Sequence, residues 1–547
     1  MISPQDTVRK VGDLAKSANV LRRSGLFNPL RPDEALRSTT NVLKYGPFAG
    51  VVMHGAHRHP SAPAIVDELG TLTFQELDDK SNALARGLAA QGIGQGSVIA
   101  ALARDHRGLV LSMLAAGKLG ARLVMMNTGF AKPQFADVTK REKVQAVLHD
   151  SEFFGLLEAI PSDIPRIITW VDEKDNVSDD TLTLDKLIDG QSTKQYGPPS
   201  KPGGMIILTS GTTGTPKGAP RDRVSPLQSA QFLDRIPLPS EGTVFMAAPI
   251  FHSTGLSQFT IALALGNKVV FQRRFKPETT VEGVAKHKAD ALVVVPTMLQ
   301  RMIDLDPDFL AKHDTKSLKV IFAAGSSVSP DLSNRTAQVF GDVLYNLYGS
   351  TEVAVATVAT PTDLRKAPGT VGKPPVGVRV VALDENDKKI TKAHQIGRLF
   401  VSSGLSFAGY TDGRHKNVVD GMLSSGDVGH FDENGLWFVD GRDDDMIVSG
   451  GENVYPLEVE NLLADREDVH DAAVVGVDDA DFGKRLRAFI VAGPSSKKDV
   501  DEIKNYVKDN LARYKVPREV IFLDELPRNA TGKLLRKDLV EMDIDGK

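Results

Sequence analysis

The stretch from Met205 to Gly218 constrains the fold more than any other. An apolar run, Met205 to Leu208, empties into Thr209-Ser-Gly-Thr-Thr-Gly-Thr-Pro-Lys-Gly218. The run reads as a strand, and the loop after it carries three glycines, five hydroxyls and one lysine, Lys217. Glycines let the backbone turn and approach a ligand closely, free N–H groups and hydroxyls supply donors, and the lysine adds positive charge. Such a loop suits a polyphosphate. It differs from the G-x-x-x-x-G-K-[ST] phosphate loop, because Lys217 stands between Pro216 and Gly218. By composition alone, a polar hairpin loop at the surface is the competing reading.

A chain of 547 residues is too long for a single core and implies at least two domains. Its 66 Lys and Arg nearly balance 70 Asp and Glu, so the net charge of −4 gives no reason to expect nucleic acid as the main partner. With no cysteine, disulfides, thiolate metal sites and a cysteine nucleophile are all excluded. No apolar run approaches the ~18 residues of a membrane span, and the first residues lack the apolar core of a signal peptide. The expectation is a cytoplasmic globular enzyme.

Residues 1–46 form an N-terminal extension with a basic helical pattern. Val8, Val11, Leu14, Ala18 and Leu21 fall on one face with Arg9, Lys10, Lys16, Arg22 and Arg23 around it, and Pro29 and Pro32 end the pattern. Two readings stand: an accessory helix docked on the main domain, or an interfacial helix making peripheral contact with an anionic membrane. His54, His57 and His59 match no zinc spacing and read as a solvated loop. From Ala64 onward, short apolar runs alternate with helical patterns, which argues for α/β layering. The polar passage 178–204 reads as a connection leading into the phosphate loop. Later β-like runs end in turns at Pro249 to His252, Pro296, Gly325 and Tyr348, where α/β folds place ligands. After Pro361 the segments become short and β-like. The charged stretch Gly441-Arg442-Asp443-Asp444-Asp445 resembles a hinge, and a compact domain of alternating strand and helix follows. The fold class expected is α/β: a large domain over 47–441, with layered α/β subdomains and a small β subdomain, then a small mobile α+β domain over 442–547.

In order along the chain, the phosphate loop is followed by Tyr348-Gly-Ser-Thr-Glu352, Ser425-Gly-Asp427, Gly441-Arg442 with Ser449-Gly-Gly-Glu-Asn453, and Pro527-Arg-Asn-Ala-Thr-Gly-Lys533. On these motifs the chain, from about residue 50 to its end, resembles the adenylate-forming superfamily of acyl-CoA synthetases, nonribosomal-peptide adenylation domains and luciferases. The chemistry of that group joins a carboxylic acid to AMP with loss of pyrophosphate. Two anions must meet, and their repulsion has to be offset by metal, amides and lysine. The resemblance implies that Thr209, Ser210, Gly211, Thr212, Thr213, Gly214 and Lys217 hold the pyrophosphate portion of ATP, that Thr351 touches the α-phosphate and that Glu352 binds Mg²⁺. It implies further that Tyr348, followed by Gly349, packs on adenine in a pocket lined by Gly325 and Asn346, that Asp427 accepts the ribose hydroxyls and that Arg442 donates to ribose or phosphate. Lys533 is the implied catalytic lysine, Asp444 the implied pivot, and Gly450 and Gly451 the passage for a pantetheine arm. His252 matches a position that gates the acyl pocket, or else is a buried structural histidine.

Small, mostly apolar side chains from Val353 to Ala359 suggest a cavity for an alkyl chain, with tight strand packing as the alternative. Where relatives often carry Pro-Leu-Asn-Pro, this chain has Val124-Met-Met-Asn-Thr-Gly-Phe130, a departure that touches substrate choice or packing and leaves adenylation intact. The function expected is an ATP-dependent acid:CoA ligase for medium- or long-chain fatty acids. The alternatives are an acyl-AMP ligase that loads a carrier protein and a CoA ligase for an aryl or other carboxylic acid.

Overall fold

The computed structural model describes residues 4–209, 216–221, 226–407, 409–443, 445–449, 452–479, 483–493, 496–529 and 532–542. Two sheets form the body of the large domain. One is six-stranded, ordered Arg166–Trp170, Ala146–Asp150, Val98–Leu102, Arg122–Met125, Met205–Thr209, Lys217–Arg221, and parallel except for its last pair. The other is eight-stranded, with six central strands parallel to one another and an antiparallel strand at each edge, Thr357–Ala359 and Gly70–Thr73. Strands such as Ala291–Val294 and Val320–Ala324 are buried at every residue, as continuous β-branched runs covered on both faces should be. The parallel strands point their C-terminal ends toward one region, which is where such sheets hold ligands.

The hundred residues after Pro361 contain the expected small β subdomain: an antiparallel sheet of Arg379–Leu383, Gly397–Ser402, Met422–Phe431, Val418–Val419 and Trp437–Arg442. Arg442 is still paired in it, opposite Asp427. The terminal domain builds a further five-stranded sheet, with Gly483–Ala492 at its centre, Val469–Asp479 at its edge and the helices Pro456–Ala464 and Val500–Asn510 beside it.

At the N-terminus, helix Pro4–Arg23 docks by its last turn: Val20 and Leu21 join the main core, and Arg23 faces Asp234 at 3.7 Å. Val11 and Leu14 remain exposed. No described helix is long and apolar enough to cross a membrane. The three histidines depart from expectation. His54 and His57 lie on helix Pro47–Arg58, whose apolar face packs into the core, and His59 caps its end beside Glu241. No group of three or more metal-binding side chains occurs among the described residues.

Candidate functional site

The ends of these sheets surround a cleft of about 2400 Å³, larger than the ~300–1,000 Å³ of a single small-molecule pocket. One wall is the turn that leaves strand Leu344–Tyr348. Gly349 is required there, because a Cβ on it would lie 1.9 Å from the Ala354 carbonyl oxygen, and Ala354 itself takes φ +62°. Ser350 Oγ accepts from the amides of Glu352 (3.2 Å) and Val353 (3.3 Å), fixing the turn that presents Thr351 and Glu352 to the cleft. Glu352 is buried. Burial opposes its ionisation, but hydrogen bonds from Tyr410 and Ser350, its own backbone and the charge of Lys416 outweigh that and hold the carboxyl below its ordinary range.

The phosphate-loop stretch is a hairpin. Strand Met205–Thr209 pairs antiparallel with Lys217–Arg221, in a register that sets Thr209 opposite Lys217. Thr209, Pro216 and Lys217 line the cleft; Ser210, Gly211, Thr212, Thr213 and Gly214 lie outside the described residues. Lys217 Nζ sits 5.1 Å from the centre of the Tyr410 ring, and the Tyr410 hydroxyl donates to Glu352 Oε1 at 2.7 Å. Arg221 ties the hairpin to the opposite wall by donating to the carbonyls of Thr351 and Leu405. Burial lowers its guanidinium to about 10.

At the other end of the cleft, Tyr348 donates its hydroxyl to Asp427 Oδ2 at 2.6 Å, and Arg442 Nη1 lies 3.5 Å from Asp427 Oδ1. Burial raises both the Tyr348 phenol and the Asp427 carboxyl, the latter against the pull of Arg442. Gly325, at the end of strand Val320–Ala324, and buried Asn346 line the cleft close by in sequence and sheet order. Lys533 enters from the terminal domain. Its loop is braced by Arg528, which donates to the Gly532 carbonyl (2.8 Å) and pairs with Asp471 (2.7 Å). The cleft walls and the charge of Arg442 press the Lys533 ammonium down, while Asp445, Asp427 and Glu352 pull it back up. All three carboxylates are therefore within electrostatic reach of Lys533. Asp444, Gly450 and Gly451 lie outside the described residues.

His252 caps helix Ser253–Ala264 and lines the cleft. Its Nε2 is out of contact with solvent and has no hydrogen-bond partner, and burial pushes the imidazole down to about 3, so the ring is neutral. Beyond it, Ser257, Thr260 and Ile261 extend the cleft wall along one helix face. The small-residue run corrects an expectation. Val353 and Val355 to Ala359 are fully buried, distributed among separate cores, and Thr357–Ala359 is a sheet-edge strand; only Ala354 reaches the cleft. These side chains are small because a strand and its neighbours fill the space, and they leave no alkyl channel there.

Several residues that the sequence did not single out belong to the site. Tyr410, Lys416 and Ser253, whose Oγ lies 3.3 Å from Thr351 Oγ1, all line the cleft. Arg221 had only a weak signal, a second cation four residues after Lys217. The others had none.

Comparison with known proteins agrees with this geometry. Residues 52–411 match the family model described as AMP-binding enzyme, and residues 458–533 match that of the AMP-binding enzyme C-terminal domain. An indoleacetate–CoA ligase of Aromatoleum aromaticum is 30% identical over 481 residues, covering 86% of this chain and 93% of the relative. A 2-succinylbenzoate–CoA ligase of a Geobacillus species is 30% identical over 503 residues, 90% and 96% of the two chains. A fatty acid–[acyl-carrier-protein] ligase of Streptomyces coeruleorubidus is 28% identical over 507 residues, 88% and 94%. Among solved structures, the o-succinylbenzoate CoA synthetase of Bacillus subtilis in complex with its acyl-adenylate intermediate superposes with a TM-score of 0.76 at 26% identity, covering 89% of this chain and 97% of that one.

Proposed function

Since the chain belongs to the AMP-binding enzyme family, we propose that it is an AMP-forming acid–thiol ligase that converts an aryl or other ring-bearing carboxylic acid into its CoA thioester. In the first half-reaction a carboxylate oxygen attacks the α-phosphorus of ATP and the bond to pyrophosphate breaks. In the second, the CoA sulfur attacks the acyl carbon, a thioester forms and AMP leaves. Lys217 and Lys533, both lining the cleft, would offset charge on the phosphates and the reacting carboxylate. Asp427 and Arg442 suit the ribose, Asn346 and Gly325 the base. Neutral His252 presents an uncharged wall to the acid.

Glu352 fits Mg²⁺. It is an ionised carboxylate with one oxygen engaged by Tyr410, and phosphate oxygens and water would complete a shell that a single protein carboxylate leaves open. The ion supplies charge neutralisation on the phosphates when bound.

The observation that carries the substrate class is the near full-length similarity to ligases named for indoleacetate and 2-succinylbenzoate. Burial of the Val353 to Ala359 run supports it by removing the sequence argument for an alkyl chain. The test is CoA-dependent AMP release with indole-3-acetate, 2-succinylbenzoate, benzoate, octanoate and palmitate, with products identified by mass. A ring-bearing acid should exceed both fatty acids by about tenfold or more in kcat/KM, the scale of discrimination a pocket provides. Preference for palmitate overturns the substrate class. The similarity to a carrier-protein ligase favours one second reading, transfer to a carrier; acyl-AMP that accumulates in the presence of free CoA would establish it.

A further inference from the structure

We infer that Asp105 is a positioning residue of the acid-binding wall: its carboxylate holds the Pro249 to Ser253 turn, and with it His252, in the cleft. Asp105 lies just beyond strand Val98–Leu102 of the six-stranded sheet, and Ile250 just beyond strand Thr243–Met246 of the eight-stranded sheet. The Ile250 amide donates to both carboxylate oxygens, at 3.1 Å to Oδ1 and 3.2 Å to Oδ2. Both residues are buried, Asp105 at 4% and Ile250 at 0% exposure. This one bifurcated hydrogen bond therefore spans the seam between the two sheets at the segment that carries His252. Downstream, the turn is tight. The His252 amide donates to the Pro249 carbonyl (3.3 Å), and the Phe251 and His252 rings meet at a tilt of 48° with centroids 4.4 Å apart. A Cβ on Gly255 would lie 2.3 Å from the Pro249 oxygen. Displacement at Ile250 thus passes directly to His252 and Ser253.

The anchor is also titratable. Burial raises the Asp105 carboxyl to about 7, against the Ile250 hydrogen bond and the charge of Arg104, while Asp150 pushes it the same way as burial. The next residue in the chain, His106, is engaged with Asp150 at 2.8 Å. Above neutrality the bond to Ile250 is charge-assisted; below it, a neutral carboxyl accepts more weakly. His252 stays neutral throughout this range, so a response of its ring near pH 7 that Asp105→Asn abolishes reports Asp105.

The inference rests on His252 forming the acid wall, but its test does not need the acid. In full-length protein with labelled histidine, the His252 ring resonance, assigned by its loss in His252→Gln, should shift with a midpoint near pH 7 in wild type. In Asp105→Asn, which keeps an acceptor but cannot ionise, it should be flat between pH 6 and 8. A flat wild-type signal, or the same titration in Asp105→Asn, overturns the inference. With the best acid of the panel, Asp105→Ala should raise the acid KM about tenfold or more at pH 8, the cost of orphaning a buried donor, with the ATP KM within about twofold. Equal changes in both KM values would also overturn it.

Discussion

Replacing Gly532 with alanine tests whether the terminal domain must seat its lysine loop against the main domain for adenylation. Gly532 adopts φ +75°, and an added Cβ would lie 2.1 Å from Thr297 Oγ1, 3.2 Å from its Cβ and 3.3 Å from its Cγ2, on the first turn of helix Pro296–Ile303. Left-handed backbone costs an alanine roughly 1–2 kcal/mol. Ordinary contact begins at 3.4 Å, so the Thr297 hydroxyl and the loop would have to part by about 1.3 Å. Lys533 is the next residue, and a misplacement of ~1 Å at a reacting group costs on the order of 10²-fold. Strain and displacement together predict a fall of about 100- to 1000-fold in ATP–pyrophosphate exchange with the best acid of the panel. Thioester formation from supplied acyl-AMP should change much less, because the family resemblance implies that the terminal domain turns about Asp444 and withdraws the lysine loop for that step. Adding Thr297→Ala removes Oγ1 and Cγ2 and should recover most of the ~10²-fold displacement share, leaving the backbone term. Exchange within twofold of wild type in Gly532→Ala, or no recovery in the double variant with melting temperatures unchanged, would refute the docking argument.

Two further outcomes follow from the same cleft. Lys533→Ala should abolish acyl-AMP formation yet spare CoA thioester formation from added acyl-AMP, followed by product mass; equal loss of both steps would end that division of labour. Tyr410→Phe removes the donor to Glu352, a hydrogen bond to a charged group worth about 1.5–3 kcal/mol. Pyrophosphate exchange should therefore fall about tenfold or more and show a higher Mg²⁺ requirement in a titration; an unchanged magnesium dependence would separate Tyr410 from the role of Glu352.

Much of the site was legible because its residues sit in short motifs whose chemistry is local. Lys217, Glu352, Asp427, Arg442 and Lys533 span more than three hundred residues of sequence and share one cleft. The parallel strands behind the cleft, such as Ala291–Val294 and Val320–Ala324, were legible as apolar runs, since a parallel strand buried on both faces needs no polar alternation. The partner strand of the phosphate hairpin was not: Lys217–Arg221 contains Pro220 and Arg221 and shows no β pattern. Small side chains at 353–359 are equally consistent with space and with close packing, and only the neighbouring cores decide. Asp105 is the extreme case. A single acid after a strand carries no periodic signal, and its meaning arises from an amide 145 residues away on another sheet.

The cleft draws its walls from four separate sheets: the hairpin of the six-stranded sheet, the strand ends of the eight-stranded sheet, the Asp427–Arg442 pair of the β subdomain and the Lys533 loop of the terminal domain. Each sheet has its own hydrogen-bond ladder and can persist while a seam loosens, whereas the proposed adenylation step needs every seam closed. Turnover should consequently vanish at lower denaturant than the far-ultraviolet circular dichroism signal, and during refolding it should return last, after the individual sheets have re-formed.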